Sequence, residues 1–232
     1  MWLARLLNRC DGAYVAHEPV VEETWAHRDA IEDPRCAVDY LRRFRIKEIC
    51  LRVREEAPRC RVYGEVNGTL RRHIVALREV LPAATLIHVV RDGREVVRSL
   101  CNRGTYSGGH PVYGDFVPKP VDRVSRNWPR VSEFQRACWI WQHENSYMRA
   151  HVPHLARFED IVSSYEAFAD RILRPLDLSL PRGVWEGARG EPENRSETYA
   201  FPGWSEWSRA QREQFMTICG EEMRAYGYDV VR

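Results

Sequence analysis

The residues best suited to chemistry lie in the segment R-D-G-R-E-V-V-R-S-L-C-N-R, which runs from Arg91 to Arg103. Arg91 follows an apolar run, and Ser99 and Arg103 are spaced to share one face of a helix. Arginine forms paired hydrogen bonds with phosphate, and the N-terminal end of a helix favours an anion. The segment therefore predicts a phosphate-binding site. A second interpretation stays open, in which the arginines are solvated around Glu95 in a salt-bridged helix.

A predicted strand before Arg91 and a predicted helix after it support a binding site at this position. The run A-T-L-I-H-V-V at Ala84–Val90 is typical of a strand buried on both faces. Asp92 and Gly93 are expected to form the turn, and Arg94–Arg103 the helix that follows. Ligands of α/β sheets collect at the carboxyl ends of strands, which is where Arg91 is predicted to lie.

The rest of the chain alternates short β patterns with helical periodicity. Further strand signals lie at Ala13–Val15, Arg61–Val66 and His154–Phe158. Helices are predicted at Trp2–Asn8, Pro34–Glu56, Leu70–Val80, Val131–Ala150, Glu159–Leu176 and Ser208–Tyr226. Gly104–Pro129 is expected to be a long loop, and Pro181–Pro202 to be irregular. The alternation indicates an α/β fold with a parallel sheet covered on both faces, and we expect one domain over residues 1–232.

The composition is that of an ordinary globular protein. Hydrophobic residues make up 44% of the 232 residues, charged residues 29%, and the formal net charge is +2. These values argue against a disordered chain or a nucleic-acid-binding protein. No apolar run reaches the roughly 18 residues of a membrane span, and no signal peptide is recognisable, so a cytoplasmic protein is expected. The seven cysteines match no zinc module, and no metal is expected.

The segment L-I-H-V-V-R-D-G-R-E-V-V-R-S-L resembles the 3′-phosphate-binding motif of sulfotransferases that use PAPS (3′-phosphoadenosine 5′-phosphosulfate). It looks closest to the branch that contains tyrosylprotein sulfotransferases and their bacterial relatives. The resemblance implies that Arg91, Ser99 and Arg103 hold the 3′-phosphate of the nucleotide. It also implies a three-layer fold like that of P-loop NTPases, with a parallel sheet flanked by helices.

Weaker resemblances follow in the family's order. Gly64–Asn67 and Ile74–Pro82 are similar to its second-strand and helix segment, and Arg157–Ile161 is similar to its R-[YF]-E-D-L element. Trp204 and the helix after it resemble the family's C-terminal end. The family's first strand and glycine-rich 5′-phosphosulfate loop have no counterpart here, and Met1 falls where the last Thr of that loop would lie. We expect either a truncated sequence or an inactive homologue.

The resemblance also supplies candidates for catalysis. Glu18 lies at the distance past the phosphate loop where related sulfotransferases place a catalytic Glu, and His17 is its local rival as general base. Trp2 corresponds to an aromatic residue that stacks on adenine in some members, although a frayed terminal aromatic is the other interpretation. Arg195 and Ser196 lie where a late loop of the family returns over the nucleotide.

The long loop at Gly104–Pro129 is a candidate lid over the acceptor. Its aromatic walls would come from Tyr106, His110, Tyr113 and Phe116, and Arg123 and Arg126 would face an anionic acceptor. A surface excursion is the alternative.

Three functions remain in contention. The first is sulfuryl transfer from PAPS to an acceptor hydroxyl by in-line displacement, and the second is a non-catalytic remnant or interaction protein on the same scaffold. The third, another P-loop-like phosphotransferase, would need G-x-x-x-x-G-K-[ST], which does not occur in this sequence. The identity of the acceptor and the oligomeric state are not fixed by the sequence.

Overall fold

The computed structural model describes residues 1–56, 58–119, 121–189 and 200–229. Four strands form two parallel pairs. In the first pair β1 (Ala13–His17) lies beside β2 (Val62–Val66), and in the second β3 (His88–Val90) lies beside β4 (Leu155–Arg157).

The register of each pair aligns the carboxyl ends of its strands. His17 lies opposite Val66 in the first pair, and Val90 lies opposite Arg157 in the second. The segments that follow the paired strands therefore also lie side by side. The outer edge of β1 is paired with the side-chain amide of Asn8, which both donates to and accepts from the backbone of Val15 at 2.7 Å.

Helices and short helical turns make up most of the described chain. The α-helices are α1 (Trp2–Leu7), α2 (Glu23–Glu32), α3 (Pro34–Tyr40), α4 (Ile46–Glu56), α5 (Ile74–Val80), α6 (Gly93–Asn102), α7 (Arg123–Arg126), α8 (Glu133–His151), α9 (Phe158–Ser163), α10 (Tyr165–Phe168), α11 (Arg182–Arg189) and α12 (Arg209–Ala225). The π and 3-10 turns are Leu41–Arg45, Arg71–His73, Trp128–Arg130, Ala169–Leu173, Arg174–Leu176 and Trp204–Glu206.

Two apolar clusters hold the two strand pairs and the longest helices together. One cluster packs α6, α8 and α12 against each other around Val97, Trp139 and Phe215. The other contains both Val15 of β1 and Ala156 of β4, so the two strand pairs share one apolar layer with α1, α9 and α11. No helix of the described residues is long and apolar enough to cross a membrane.

Several element predictions were wrong in their bounds. The strand predicted at Ala84–Val90 pairs only over β3, because its first residue belongs to a turn in which the Ala84 N–H donates to the Leu81 carbonyl at 3.0 Å. The helix predicted at Glu159–Leu176 is broken at Ser164, whose hydroxyl accepts from the N–H of Ala167 and starts α10. The segment predicted to be irregular at Pro181–Pro202 begins with α11.

Candidate active site

The junction between β3 and α6 fixes the backbone around Arg91. The carboxylate of Asp92 caps α6, and the N–H of Asp92 donates to Glu159 Oε1 at 2.9 Å. Trp141 of α8 packs on Gly93, where an added Cβ would lie 2.9 Å from two ring atoms. The indole N–H of Trp141 also donates to the Arg91 carbonyl at 3.2 Å. The close contact between α6 and α8 therefore requires glycine at position 93.

An open groove of about 450 Å³ lies at this junction. The guanidinium of Arg91 is exposed there, 5.5 Å from the ring centroid of Phe158 and 3.7 Å from Glu95 Oε2. The groove is lined by Arg91, Glu95, Phe158, Glu159, Val162, Ser163 and Arg189. Two guanidinium groups beside an aromatic ring suit a ligand that has both an anionic group and a flat apolar part.

The second group of functional side chains follows β1 and β2. Glu18 comes directly after β1 and has a φ of 42°, in the left-handed region that non-glycine residues rarely occupy. Its N–H donates to the Val66 carbonyl at 3.2 Å, and its carboxylate and the side chain of His17 are exposed. A Cβ added at Gly68 would lie 3.1 Å from Glu18 Oε1, so the carboxylate lies against this glycine.

A buried ion pair holds the turn that contains Gly68. Glu23 is fully buried and accepts hydrogen bonds from Arg45 at 2.6 Å, from Asn67 at 2.6 Å and from Thr69 at 3.0 Å. Because Asn67 and Thr69 flank Gly68, this carboxylate fixes the turn from both sides.

A second buried network lies next to that turn and was not predicted from the sequence. Glu144 of α8 is fully buried, with Oε1 2.6 Å from Arg72 Nε and Oε2 3.2 Å from His27 Nε2. The other ring nitrogen of His27 lies 2.9 Å from the Tyr113 hydroxyl. Burial alone would raise the pKa of Glu144, but the Arg72 guanidinium and the hydrogen bond with His27 hold it far below its usual range. Burial lowers the pKa of His27, so its ring is neutral beside an ionised carboxylate.

The family model described as "Sulfotransferase family" matches residues 5–182, well over half of the sequence. The chain therefore belongs to the sulfotransferase family. Comparison with curated proteins and with solved structures gives no match. Membership implies an α/β fold of the P-loop-like type, with which the small parallel strand pairs are compatible, and it indicates sulfuryl transfer to a hydroxyl-bearing acceptor.

The predicted phosphate-binding residues of this sulfotransferase are spread over the length of α6, with Arg91 before the helix, Ser99 within it and Arg103 at its C-terminal cap. Arg91 lines the groove, whereas Ser99 and Arg103 lie farther along the helix and do not line it. Ser99 is half-buried, and its carbonyl accepts from both the backbone N–H and Nε of Arg103 at 3.3 Å. Arg94 donates hydrogen bonds to the Asp92 carboxylate and not to Glu95. The interpretation in which the arginines are arranged around Glu95 therefore describes only part of this helix.

Trp2 of the sulfotransferase lies behind the groove. Its ring makes edge-to-face contacts with Phe158 at 6.0 Å and Phe168 at 6.4 Å, and its indole N–H donates to the Ala188 carbonyl at 3.1 Å. Trp2 is thus a packed residue rather than a frayed terminal one. Arg195 and Ser196 lie outside the described residues.

The loop predicted at Gly104–Pro129 is largely packed against the core. Tyr106, Tyr113 and Phe116 are all buried, and the imidazole of His110 accepts hydrogen bonds within the same loop. These aromatic rings cannot be the open walls of a lid, because they already fill the core beside α8. Arg123 and Arg126 are exposed on α7. Within the described ranges, no group of acidic, histidine or cysteine side chains has the arrangement of a metal site.

Proposed function

We propose that this sulfotransferase transfers the sulfuryl group of PAPS to an acceptor hydroxyl, acting through one domain that spans residues 1–232. The observation that carries the proposal is the groove at the carboxyl ends of β3 and β4, with Arg91, Arg189 and Phe158 in its lining. Its volume of about 450 Å³ is within the roughly 300–1,000 Å³ typical of small-molecule sites. The sequence resemblance supports a member of the tyrosylprotein-like branch.

The residues of the groove fit the adenosine 3′-phosphate part of the donor. Arg91 binds the 3′-phosphate, because its guanidinium is exposed and its weak pairing with Glu95 at 3.7 Å is easily exchanged for a phosphate. Ser99 and Arg103 complete the phosphate site when the Arg103 side chain leaves its own helix. Phe158 lies against the adenine, and Trp2 supports Phe158 from behind. The resemblance to the family makes Arg195 a further candidate for binding the nucleotide.

Glu18 acts as the general base in this proposal, with His17 as the alternative. Glu18 accepts the proton of the acceptor hydroxyl while the acceptor oxygen forms a bond to sulfur. The bond between sulfur and the bridging oxygen of the 5′-phosphate breaks on the opposite side, and 3′-phosphoadenosine 5′-phosphate (PAP) leaves with the electron pair. The exposure of the Glu18 carboxylate and its fixed backbone support this role.

Calorimetric titration with PAP tests the nucleotide site. We expect wild-type protein to bind PAP and Arg91→Ala to bind it at least about 10-fold more weakly, because a charge-assisted pair with phosphate is lost. The matched control is Arg43→Ala, which removes an exposed arginine from the π turn between α3 and α4.

Two results would contradict the proposal. One is the absence of PAP binding by folded wild-type protein, and the other is equal affinity of wild type and Arg91→Ala. Binding of PAP without release of sulfated product would favour the non-catalytic interpretation over the enzyme.

A further inference from the structure

Arg71 presents an unused pair of amino groups beside Glu18. Its Nε donates to the Gly68 carbonyl at 2.7 Å and lies 3.6 Å from Glu144 Oε2, which fixes the base of the guanidinium. Its two terminal amino groups donate to no residue of the described chain, and 37% of the side chain is exposed. The planar fork of an arginine held in this way is preorganised for an oxyanion.

Gly68 joins Arg71 to the candidate base. Its carbonyl accepts from Arg71, and its α-carbon lies against the Glu18 carboxylate. Both charges also act on the same phenol. The pKa of Tyr113 is raised to about 12, mainly by burial, and among the charges that act on it the Arg71 guanidinium lowers it while the Glu18 carboxylate raises it. The contacts with Gly68 therefore place both Arg71 and Glu18 at this glycine.

The buried network keeps a net positive charge, because the single carboxylate of Glu144 lies near two guanidinium groups, those of Arg72 and Arg71. Glu144 carries one negative charge, and Arg72, at 2.6 Å, already balances it. His27 adds no charge, because its buried ring is neutral. The positive charge of Arg71 is therefore available on the side where Glu18 lies. A cation placed beside a general base stabilises an anionic group that lies between them.

We propose that Arg71 binds an oxygen of the sulfuryl group during transfer, and that Glu144 positions its guanidinium, with His27 on Glu144 and Tyr113 on His27. This inference rests on the proposed function, since it requires PAPS in the groove. Water can serve as the test acceptor. Its oxygen bonds to sulfur, its proton passes to Glu18, the bond from sulfur to the 5′-phosphate breaks, and sulfate and PAP are released.

The comparison of PAPS with PAP isolates the sulfuryl group, because the two nucleotides differ only there. Affinities are measured by calorimetry for wild type, Arg71→Ala, Arg71→Lys and the control Arg43→Ala, and PAP release from PAPS is followed in the same proteins. We expect Arg71→Ala to keep its PAP affinity and to lose roughly 10- to 100-fold in PAPS affinity or in PAP release, as for a hydrogen bond to a charged group. Arg71→Lys should recover part of the loss, and Arg43→Ala should match wild type.

Glu144→Gln tests the positioning role. It should lower PAPS affinity or PAP release in the same direction as Arg71→Ala, with PAP affinity kept. A purely structural role would instead weaken both nucleotides together. Should Glu144→Gln fail to fold, the comparison of Arg71→Ala with Arg71→Lys still tests whether Arg71 binds the sulfuryl group.

The outcomes separate this inference from the proposed function. Wild-type protein that binds neither nucleotide overturns both. Wild-type protein that binds both, with Arg71→Ala unchanged in PAPS affinity and PAP release, overturns only the role of Arg71. Equal loss of PAP and PAPS affinity in Arg71→Ala also overturns it, since the contact would then not involve the sulfuryl group.

Discussion

At the scale of single residues, the backbone of Glu18 is held in place and its carboxylate lies against Gly68. A φ of 42° costs a non-glycine residue about 1–3 kcal/mol and persists only where the surroundings hold it. Here the hydrogen bond from the Glu18 N–H to the Val66 carbonyl extends the pairing of β1 with β2 by one residue. The side chain therefore starts from a fixed point beside Gly68, as a general base requires.

We expect Gly68→Ala to slow sulfuryl transfer without unfolding the protein. Its Cβ would lie 3.1 Å from Glu18 Oε1, so the carboxylate must move by a few tenths of an ångström. A misplacement of about 1 Å at a reacting group can cost about 100-fold, so this smaller shift should lower kcat by about 10-fold. The measurement is kcat for transfer from PAPS, with Glu18→Gln beside it as the reference for loss of the base.

Gly109→Ala is the matched control, because an added Cβ there meets open space. It should keep the wild-type kcat, and all three variants should keep the wild-type affinity for PAP. A wild-type kcat in Gly68→Ala would show that the contact with Gly68 does not position the base.

The residues of the site differ in how far the sequence could predict them. The prediction of Arg91 rests on a strand pattern and a short segment that resembles the family's motif, whereas that of Glu18 rests on its spacing from Met1, where the last Thr of the family's phosphate loop would lie. Glu144, His27 and Arg71 gave no such signal. Their contacts join α8, α2 and the turn after β2, and side chains brought together from distant elements leave no local period in a single sequence.

At the scale of elements, the contact between α6 and α8 decides where Arg91 lies. Trp141 packs on Gly93 and also holds the Arg91 carbonyl, so one side chain sets both the spacing of the helices and the end of β3. Trp141 is itself buried in the largest apolar cluster and has little room to move. The packing of these two helices therefore determines the geometry of the proposed nucleotide site.

Gly93→Ala should destabilise the protein and weaken PAP binding. Alanine is favoured over glycine in a helix by about 1 kcal/mol at most, whereas overpacking a rigid contact costs about 1–3 kcal/mol. With the Cβ only 2.9 Å from the Trp141 ring, the overpacking cost should exceed the helical gain. Urea denaturation measures the stability, and calorimetry with PAP measures the site.

Gly187→Ala in α11 provides the comparison, since a Cβ added there meets nothing within 4 Å. It should be neutral or more stable than wild type by up to about 1 kcal/mol. If Gly93→Ala were as stable as Gly187→Ala, the close contact with Trp141 would not be a constraint.

Elements with clear periodicity were predicted best, whereas the turns that interrupt them were not predicted. The helical pattern at Pro34–Glu56 is confirmed at both ends, but a π turn interrupts it at Leu41–Arg45. Arg45 ends that turn and is buried against Glu23, a partner from another helix. The loop after α6 lacks periodicity because its order comes from separate buried rings such as Phe116, whose positions have no regular spacing.

At the scale of the whole molecule, the protein buries several imidazoles in their neutral form. Burial lowers the pKa values of His73, His88 and His143 from 6.5 to about 4, and it also lowers that of His27. These side chains lie on different elements and contribute to more than one part of the structure. Mild acid is therefore expected to lower the stability of the whole protein rather than to break one local contact.

We expect the free energy of unfolding to fall as the pH drops from about 6.5 to about 4. In this window the unfolded chain binds protons at histidines that stay neutral in the native state, so protonation favours unfolding. Above pH 6.5 these histidines are neutral in both states, and their protonation does not lower the free energy of unfolding. The slope is at most about 1.4 kcal/mol per pH unit for each histidine. The lowered pKa of Glu144 adds a further loss at more acidic pH, as that carboxylate is protonated.

Urea denaturation at several pH values measures this loss, and His88→Gln tests its origin. His88 Nε2 lies 3.1 Å from Asn145 Oδ1, a contact that the amide of glutamine can retain without titrating in this range. The variant should therefore lose stability less steeply than wild type between pH 6.5 and 4, whatever its stability at neutral pH. Because the comparison uses slopes, a change in packing alone would shift both ends of the curve equally. An unchanged slope would mean that His88 is protonated in the native state and that mild acid acts elsewhere in the molecule.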